Sequence, residues 1–351
     1  MGTASDRRRP RDAGLLALLA AGPVVCAEGY LFEFERRGYL QAGAFVPELV
    51  LEHPELVAQH HRDLFHAGSD VVPALTYYAH REKLRVLGME AELEPMNREA
   101  LRIAREVAEE TGALLAGDLS NTNVFLDDAP SERTVRSIFE EQVGWAADAG
   151  VDYVIAETIS WAKEALLAVE AVKAAGLPVA VTLAVHREPR TFEGWTLPEA
   201  ARRLEAAGAD VVGLNCIRGP WTMLPLVAEI RGAVSCHVAA LPAPYRTTGA
   251  TPTITGLLDD TCPGGRAFPT GLDPFTCTRH ELADFGRQAF ALGVSYLGLC
   301  CGASPHHVRS LAEALGRTPP ASRFSADMSK HAFLGSKEHA REDYRGLAER
   351  L

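Results

Sequence analysis

Short runs of apolar residues recur along the chain, and most of them are followed by a longer stretch in which apolar and polar residues have helical spacing. Eight runs have the length and β-branched content of buried strands, at 24–26, 71–75, 113–116, 153–156, 179–183, 211–214, 236–239 and 296–299. Their apolar character is continuous rather than alternating, which is typical of parallel strands covered on both faces. The pattern therefore predicts eight parallel strands.

The stretches between these runs predict the helices that connect parallel strands, for example at 98–110, 197–207 and 279–292. Glycine fits the left-handed cap of a helix, and it ends several stretches, at Gly68, Gly150, Gly176, Gly208 and Gly293. Eight such units favour an α/β fold, a (β/α)8 TIM barrel at 14–318, over a doubly wound open sheet. We expect a flexible N-terminal arm at 1–13 and a short C-terminal helical extension at 319–351.

Composition and charge narrow the class of protein. The 351 residues are 47% hydrophobic and 23% charged, with a formal net charge of -11 at pH 7, whereas nucleic-acid-binding proteins usually have a basic excess. The seven cysteines are an odd number spread over a long chain, which indicates reduced thiols. The apolar run at 15–21 is too short for a membrane span and lacks a signal cleavage site. We therefore expect a cytoplasmic small-molecule enzyme without nucleic-acid or membrane partners.

In a barrel of this kind, functional residues lie at the carboxyl ends of the strands. The polar residues predicted there are Glu28, Tyr77, Tyr78, Asp118, Ser120, Glu157, Asn215, Cys216, Cys300 and Cys301. Three of them, Cys216, Cys300 and Cys301, can occupy three corners of a zinc tetrahedron and leave the fourth for a substrate. Adjacent cysteines point to opposite faces of a strand, but Gly298 and Gly302 allow the backbone to kink. From spacing alone, the alternative is that these cysteines are small buried apolar residues.

Two motifs resemble those of a known family. Gly213-Leu214-Asn215-Cys216 and Gly298-Leu299-Cys300-Cys301-Gly302 are similar to the zinc-binding motifs of the homocysteine S-methyltransferases, and parts of 37–54 and 76–84 are similar to the betaine-homocysteine branch. The resemblance implies Zn²⁺ as the cofactor, with the three cysteines as ligands. It also implies methyl transfer from a small donor to homocysteine, forming methionine, with no catalytic residue beyond the zinc-activated substrate thiolate.

The substrate-binding residues follow partly from the same resemblance. The predicted set is Glu157, Glu28, Tyr78, Tyr77, Phe45 and Ser120. Glu157 matches the acid that holds the amino group of homocysteine, and Tyr78 matches an aromatic residue of the betaine pocket. Two segments depart from the family. Ala27-Glu28-Gly29 stands where the family usually has Asp-Gly-Gly, so the aspartate is missing and its replacement by Glu28 is open, and Thr158 stands where the betaine branch has a tyrosine.

Several functions stay open at this point. Glycine betaine is the favoured donor, and a sulfonium donor such as S-methylmethionine or dimethylsulfoniopropionate is the alternative. A different thiol acceptor, or a non-catalytic zinc or redox-sensing role for the vicinal cysteines, is also open. The charged C-terminal segment partly resembles the oligomerisation arm of the family, so we expect a homo-oligomer.

Overall fold

The computed structural model of the protein describes residues 14–41, 47–325, 327–332, 335, 336, 338 and 350. Its eight strands are β1 (Val24–Ala27), β2 (Val71–Pro73), β3 (Leu114–Ser120), β4 (Tyr153–Ile159), β5 (Val179–Leu183), β6 (Val211–Asn215), β7 (His237–Leu241) and β8 (Tyr296–Leu299). They form one parallel sheet in the order β1-β8-β7-β6-β5-β4-β3-β2. Because β1 pairs with β8 along its length, the first strand joins the last. The predicted (β/α)8 barrel is confirmed, and the open-sheet alternative is wrong.

Twelve α-helices of the described chain surround or cover the strands. They are α1 (Leu15–Ala21), α2 (Tyr30–Arg36), α3 (Leu49–Glu52), α4 (Pro54–Ala67), α5 (Arg81–Leu87), α6 (Leu93–Thr111), α7 (Ala129–Asp148), α8 (Ala162–Ala174), α9 (Leu197–Ala206), α10 (Pro220–Arg231), α11 (Arg279–Ala291) and α12 (Pro305–Ala314). The five glycines predicted as caps all have positive φ, between 65° and 118°. These caps are therefore confirmed as the points where the chain leaves a helix for the next strand.

Alternate strand residues face the barrel interior. One buried cluster there contains Val24, Cys26, Leu114, Ala116, Tyr153, Ile155, Val211 and Tyr296. Leu15 and Leu19 of α1 belong to the same cluster, so this helix covers the amino end of the barrel. The hydroxyl groups of Tyr153 and Tyr296 are 2.8 Å apart across the interior, so these buried polar atoms satisfy each other.

The seam between β1 and β2 is closed by a side chain. Asp70 accepts a hydrogen bond from the backbone N–H of Val25 at 2.9 Å, and its own N–H donates to the Val25 carbonyl at 2.7 Å. Arg317, which follows α12, donates to the same carboxylate at 2.5 Å. One aspartate thus continues the hydrogen bonding of the sheet where the strands themselves diverge.

Strands β3 and β4 run past their predicted ends at 116 and 156. The added residues include Asp118 and Glu157, whose polarity resembles that of a loop but whose side chains line a cavity inside the barrel. Beyond α12, a short 3-10 turn at Pro320–Phe324 packs against α4. Within the predicted C-terminal helical extension at 319–351, the described residues form this turn and a second 3-10 turn at Met328–Lys330, and most of 337–351 lies outside the described residues. In the part of the chain that is described, no helix is both long and apolar enough to cross a membrane.

Candidate active site

The alternation of the strands continues into the carboxyl end of the barrel, where it brings polar residues together. In β1, β3, β4, β6 and β8, every second side chain faces the barrel interior. At the carboxyl ends of these strands, the next interior positions are Glu28, Asp118, Glu157, Asn215 and Cys300. All five are buried. The same periodicity that fills the amino end with apolar groups therefore collects carboxylates, an amide and a thiol at the carboxyl end.

Cys216 and Cys301 are out of phase with this alternation, and the backbone turns to bring them in. Cys216 follows β6 with φ 53°, and Gly302 turns the chain after β8 with φ 93°. Any side chain at Gly302 would collide with the Tyr245 ring. As a result, the Sγ atoms of Cys216, Cys300 and Cys301 all lie within 4.8 Å of one another. Gly298, in contrast, has ordinary strand geometry and leaves space for the Cys26 carbonyl.

The turn after β6 is strained. Cys216 and the β-branched Ile217 both have left-handed φ, at 53° and 52°, a conformation that costs about 1–3 kcal/mol for a residue other than glycine. Surrounding hydrogen bonds hold it, because the Cys216 N–H donates to Leu241 at 2.9 Å and the Ile217 carbonyl accepts from Ile254 at 2.8 Å. The fold thus fixes a costly backbone at the position that aims a thiol at two others.

The three thiols differ in pKa because they hydrogen-bond to one another. Hydrogen bonds from Cys300 and Cys301 hold the pKa of Cys216 well below its usual range, and the same contacts raise the pKa of both donors. Three thiolates cannot lie this close together in a buried site without a cation. A set of three sulfur donors suits a borderline-soft divalent metal, so the residues fit a metal centre.

An inner cavity lies on one side of the thiols, and three acids line it. These are Glu28, Asp118 and Glu157, and no lysine or arginine of the described chain lines the cavity with them. One carboxylate oxygen of Glu28 and one of Asp118 are buried without a hydrogen-bond partner. Burial raises the pKa of Glu157 to about 7, and burial together with the charge of Glu157 raises the pKa of the other two well above their usual range. The cavity is therefore suited to a cationic group of a ligand.

Asn215 fixes the orientation of Glu157. Its amide nitrogen donates to the Glu157 carboxylate and also to the Thr158 hydroxyl, the latter at 2.9 Å. Its amide oxygen accepts the Thr158 N–H at 2.9 Å. Thr158 has φ 60°, so it is a further strained residue that is held by hydrogen bonds next to the site.

An outer cleft of about 560 Å³ lies on the other side of the thiols, and many of its lining residues are aromatic. Tyr77 and Tyr78 line it, whereas Ser120 is buried beneath them and accepts the Tyr78 N–H at 3.1 Å. Tyr77, Thr158 and Cys301 line both cavities, so the thiols stand where the two meet. Phe45, the remaining predicted substrate-binding residue, lies outside the described residues.

A family model described as homocysteine S-methyltransferase matches residues 29–315. The chain belongs to the homocysteine S-methyltransferase family. Betaine--homocysteine S-methyltransferase 1 of Danio rerio is 38% identical over 345 residues, which cover 94% of this chain and 84% of the relative. The S-methylmethionine--homocysteine S-methyltransferase BHMT2 of Rattus norvegicus is 35% identical over 336 residues, covering 92% and 86%. These relatives carry different donors in their names, so family membership alone does not name the donor for this chain.

The fold of this homocysteine S-methyltransferase family member is also seen in solved structures. The metallated form of the homocysteine methyltransferase MmuM from Escherichia coli matches with a TM-score of 0.66 and 20% identity, covering 85% of this chain and 98% of that one. The oxidised form of MmuM matches with a TM-score of 0.64 and 19% identity, covering 82% and 94%. At this identity the likeness supports the barrel fold.

The sequence predicted most of the polar residues at the carboxyl end of the barrel, but it did not predict two features of the candidate site. Asp118 was found at a strand end without a role, although it completes the group of acids in the inner cavity. The aromatic wall of the outer cleft, which includes Trp161 and Phe192, was not predicted. Its rings come from loops after different strands, and no motif or spacing relates them.

Proposed function

We propose that this protein transfers a methyl group from a small onium donor to the thiol of homocysteine, forming methionine, with Zn²⁺ held by Cys216, Cys300 and Cys301. One observation carries the proposal: the three thiols stand between an acidic cavity and an aromatic one. The acidic cavity suits the amino-acid part of homocysteine, and the aromatic cavity suits a methylated cation. The names of the related proteins support the same reaction.

In this proposal, Glu157 binds the ammonium group of homocysteine. The carboxylate is buried, oriented by Asn215 and without a lysine or arginine partner among the described residues that line the cavity. Glu28 adds a second acceptor, since its unpartnered oxygen lies in the same cavity. A ligand ammonium would supply the missing positive charge and favour the ionised form of both acids.

Zinc, when bound, supplies the Lewis acidity that keeps a coordinated thiol deprotonated at neutral pH. Cys301 borders both cavities, so the chain places the site for homocysteine next to the site for the donor. The new bond joins the homocysteine sulfur to the methyl carbon as the bond from that carbon to the donor nitrogen or sulfur breaks. The leaving amine or sulfide keeps the electron pair and departs as a neutral group. Glycine betaine is the donor that we favour.

We also propose that 14–318 is the barrel domain and that 319–351 contributes to a homo-oligomer in the cytoplasm. Phe324 supports an interface here, since it is a large apolar side chain with 63% of its surface exposed. Seven free cysteines are in keeping with a reducing compartment. Light scattering of the full chain and of a chain ending at 318 tests the interface, and a monomeric full chain would contradict it.

The proposed reaction is tested by metal content and methionine formation, measured on the same protein purified under reducing conditions. We expect about one zinc per chain and methionine from homocysteine with one of glycine betaine, dimethylsulfoniopropionate or S-methylmethionine. Cys301→Ala should lose zinc and activity together, because two thiols bind zinc far more weakly than three. Cys236→Ala, at the opposite end of the barrel, is the matched control. Zinc without methionine would point to a different acceptor, and a wild-type chain without zinc would contradict the proposal.

A further inference from the structure

The segment at 242–247, which directly follows β7, runs between the two turns that carry the thiols. The backbone N–H of Cys216 donates to the carbonyl of Leu241, the last residue of β7, at 2.9 Å. The backbone N–H of Cys300 donates to the Pro242 carbonyl at 3.0 Å. Backbone hydrogen bonds therefore tie both turns to one segment, and the course of that segment bears on the distance between the thiols.

Tyr245, in this segment, meets both thiol turns directly. Gly302 follows Cys301, and a Cβ added to it would collide with the ring and the hydroxyl of Tyr245. Gly219 is the third residue after Cys216, and a Cβ added to it would collide with the Tyr245 carbonyl oxygen. Because Gly219 has φ -77°, which any residue adopts, only this close approach requires glycine there. Each thiol turn thus has a glycine where its backbone meets the same tyrosine.

The Tyr245 side chain is itself held from two sides. It is fully buried, and its hydroxyl accepts a hydrogen bond from the guanidinium of Arg36, at the end of α2, at 2.9 Å. Arg36 also donates to the carboxylate of Asp273, in the loop after β7, at 2.8 Å. The Phe32 ring lies edge to face with the tyrosine, at 6.4 Å between centroids. The ring therefore cannot move away from Gly302 without loss of a charge-assisted hydrogen bond.

The turn after β8 depends on such support. Gly302 has φ 93°, and glycine gives the backbone next to Cys301 a freedom that a thiol ligand has to lose before it binds a metal. Cys301 packs against the buried cluster that contains Tyr245. In metal sites generally, groups outside the ligand set orient the ligands and raise the affinity for the ion. The Tyr245 ring is placed to do this for the vicinal thiols.

We propose that Tyr245 is the positioning residue of the metal centre, which fixes Cys216 relative to Cys300 and Cys301 and thereby sets the affinity for zinc. Arg36 acts through the tyrosine by fixing its ring. The inference rests on the zinc site of the proposed function. Tyr245 lines neither the inner cavity nor the outer cleft, so its role concerns the ligands of the metal rather than the substrates.

Zinc affinity of the full chain, measured by competition with a chelator under reducing conditions, tests the inference without turnover. Tyr245→Leu should weaken zinc binding by about 10-fold to 100-fold, the range for loss of a group that orients a metal ligand. The sulfur-to-metal absorption of the Co²⁺-loaded protein should weaken as well, because the three thiols no longer bind as a set. Tyr245→Phe keeps the ring and should stay within about threefold of the wild-type affinity.

Two control experiments separate positioning from a general loss of stability. Phe139→Leu removes a fully buried ring from α7 and should destabilise the fold without a change in zinc affinity. Gly219→Ala displaces the Tyr245 carbonyl and leaves every ligand and the ring in place, so it should also weaken zinc binding. Gly232→Ala, at the other end of α10, is its matched control, since the added methyl group meets nothing closer than 3.6 Å.

The role of Arg36 is tested by a double-mutant cycle. Arg36→Met and Tyr245→Phe remove the same hydrogen bond, so the double variant should bind zinc no more weakly than either single variant. Additive losses would mean that Arg36 acts independently of the tyrosine and would overturn that part of the inference. Arg246→Met is the matched control, because Arg246 is the next residue and pairs with Glu281 at 2.7 Å on the surface. It should leave zinc affinity unchanged.

Several outcomes would overturn the role of Tyr245. Wild-type zinc affinity in Tyr245→Leu would do so, and if that variant does not fold, wild-type affinity in Gly219→Ala would do so in its place. An equal loss in Phe139→Leu would show that stability alone is measured, and a loss in Tyr245→Phe as large as in Tyr245→Leu would exclude the ring. A wild type without zinc contradicts the proposed function, whereas a zinc-binding wild type with unaffected variants contradicts only this inference.

Discussion

The two ends of the barrel use the same alternation of side chains for opposite purposes. At the amino end, interior positions are apolar or paired, as with Tyr153 and Tyr296, and α1 covers them with Leu15 and Leu19. At the carboxyl end, the same positions carry acids with unpartnered oxygens. The turn after β6 there is also left-handed. The comparison teaches that the amino end of the barrel contributes to stability, whereas the carboxyl end contains destabilising features where we propose that the substrates bind.

The largest effect expected at the amino end is on stability. Leu19→Ala removes a buried side chain that is 5% exposed, and we expect the free energy of unfolding to fall by about 3 kcal/mol. Methionine formation by the folded protein should not change, because the cavity created lies at the opposite end from the thiols. Urea unfolding and kcat/KM measure the two quantities. Leu16→Ala on the same helix is the control, since Leu16 is 44% exposed and should cost little. A fall in kcat/KM for Leu19→Ala would show that the ends are not independent.

At the carboxyl end, the largest effect of a change in the acids should be on binding. Glu157→Gln keeps the shape of the side chain but removes the charge that we assign to the homocysteine ammonium, so kcat/KM for homocysteine should fall roughly 100-fold. Zinc content and KM for the donor should stay near the wild-type values. Glu199→Gln, on the outside of α9, is the matched control. An equal loss for both substrates would indicate that Glu157 supports the whole site rather than the ammonium.

The pH dependence of the unfolding free energy also tests the contrast between the two ends of the barrel. The pKa of Glu157 is about 7 in the folded chain, mainly through burial, against an ordinary value of 4.5. The folded state therefore binds more protons between these values, and the stability contributed by the protonated form is lost as pH rises through about 7. Buried His60 and His61 act in the opposite direction, because burial lowers their pKa to about 4 and about 3. The two histidines contribute equally in wild type and in Glu157→Gln.

The contribution of Glu157 is therefore measured as the difference in unfolding free energy between wild type and Glu157→Gln. From pH 5 to pH 7.5, the unfolding free energy of metal-free wild type should fall by about 2 kcal/mol relative to Glu157→Gln. Urea midpoints of the two proteins at several pH values provide it. A constant difference would mean that Glu157 titrates in its ordinary range in the folded state.

The fold could be predicted from sequence because it rests on repeated local signals. Each of the eight apolar runs corresponds to a strand, and the glycine caps follow from the backbone conformation that a helix end requires. The ends of β3 and β4 were placed too early because Asp118 and Glu157 are polar, and polarity in a sequence resembles a loop. Only in the closed barrel do the carboxylates of Asp118 and Glu157 lie in the same inner cavity.

The site could be predicted only in part. The vicinal pair Cys300 and Cys301 was visible as a motif, but the direction of Cys216 depends on a left-handed turn at Ile217 that no propensity favours. The aromatic wall was missed because Trp161 and Phe192 come from separate loops, and their contact depends on hydrogen bonds between those loops. Strained backbone and contacts between loops are properties of the assembled fold, so a local reading of the sequence cannot supply them.

The smallest effect that we predict is also the most direct test of strain at the carboxyl end. Ile217→Gly removes a β-branched side chain from a residue with φ 52°, so the metal-free protein should gain about 1 kcal/mol in unfolding free energy despite the greater freedom of glycine when unfolded. Zinc should then bind several-fold more weakly, because the turn no longer holds Cys216 toward the other two thiols. Ile217→Val keeps the β-branched strain and should show neither change. Urea unfolding and competition with a chelator measure the two effects. A loss of stability in Ile217→Gly would mean that packing of Ile217 outweighs its strain, and that the carboxyl end is not built at the expense of stability at this residue.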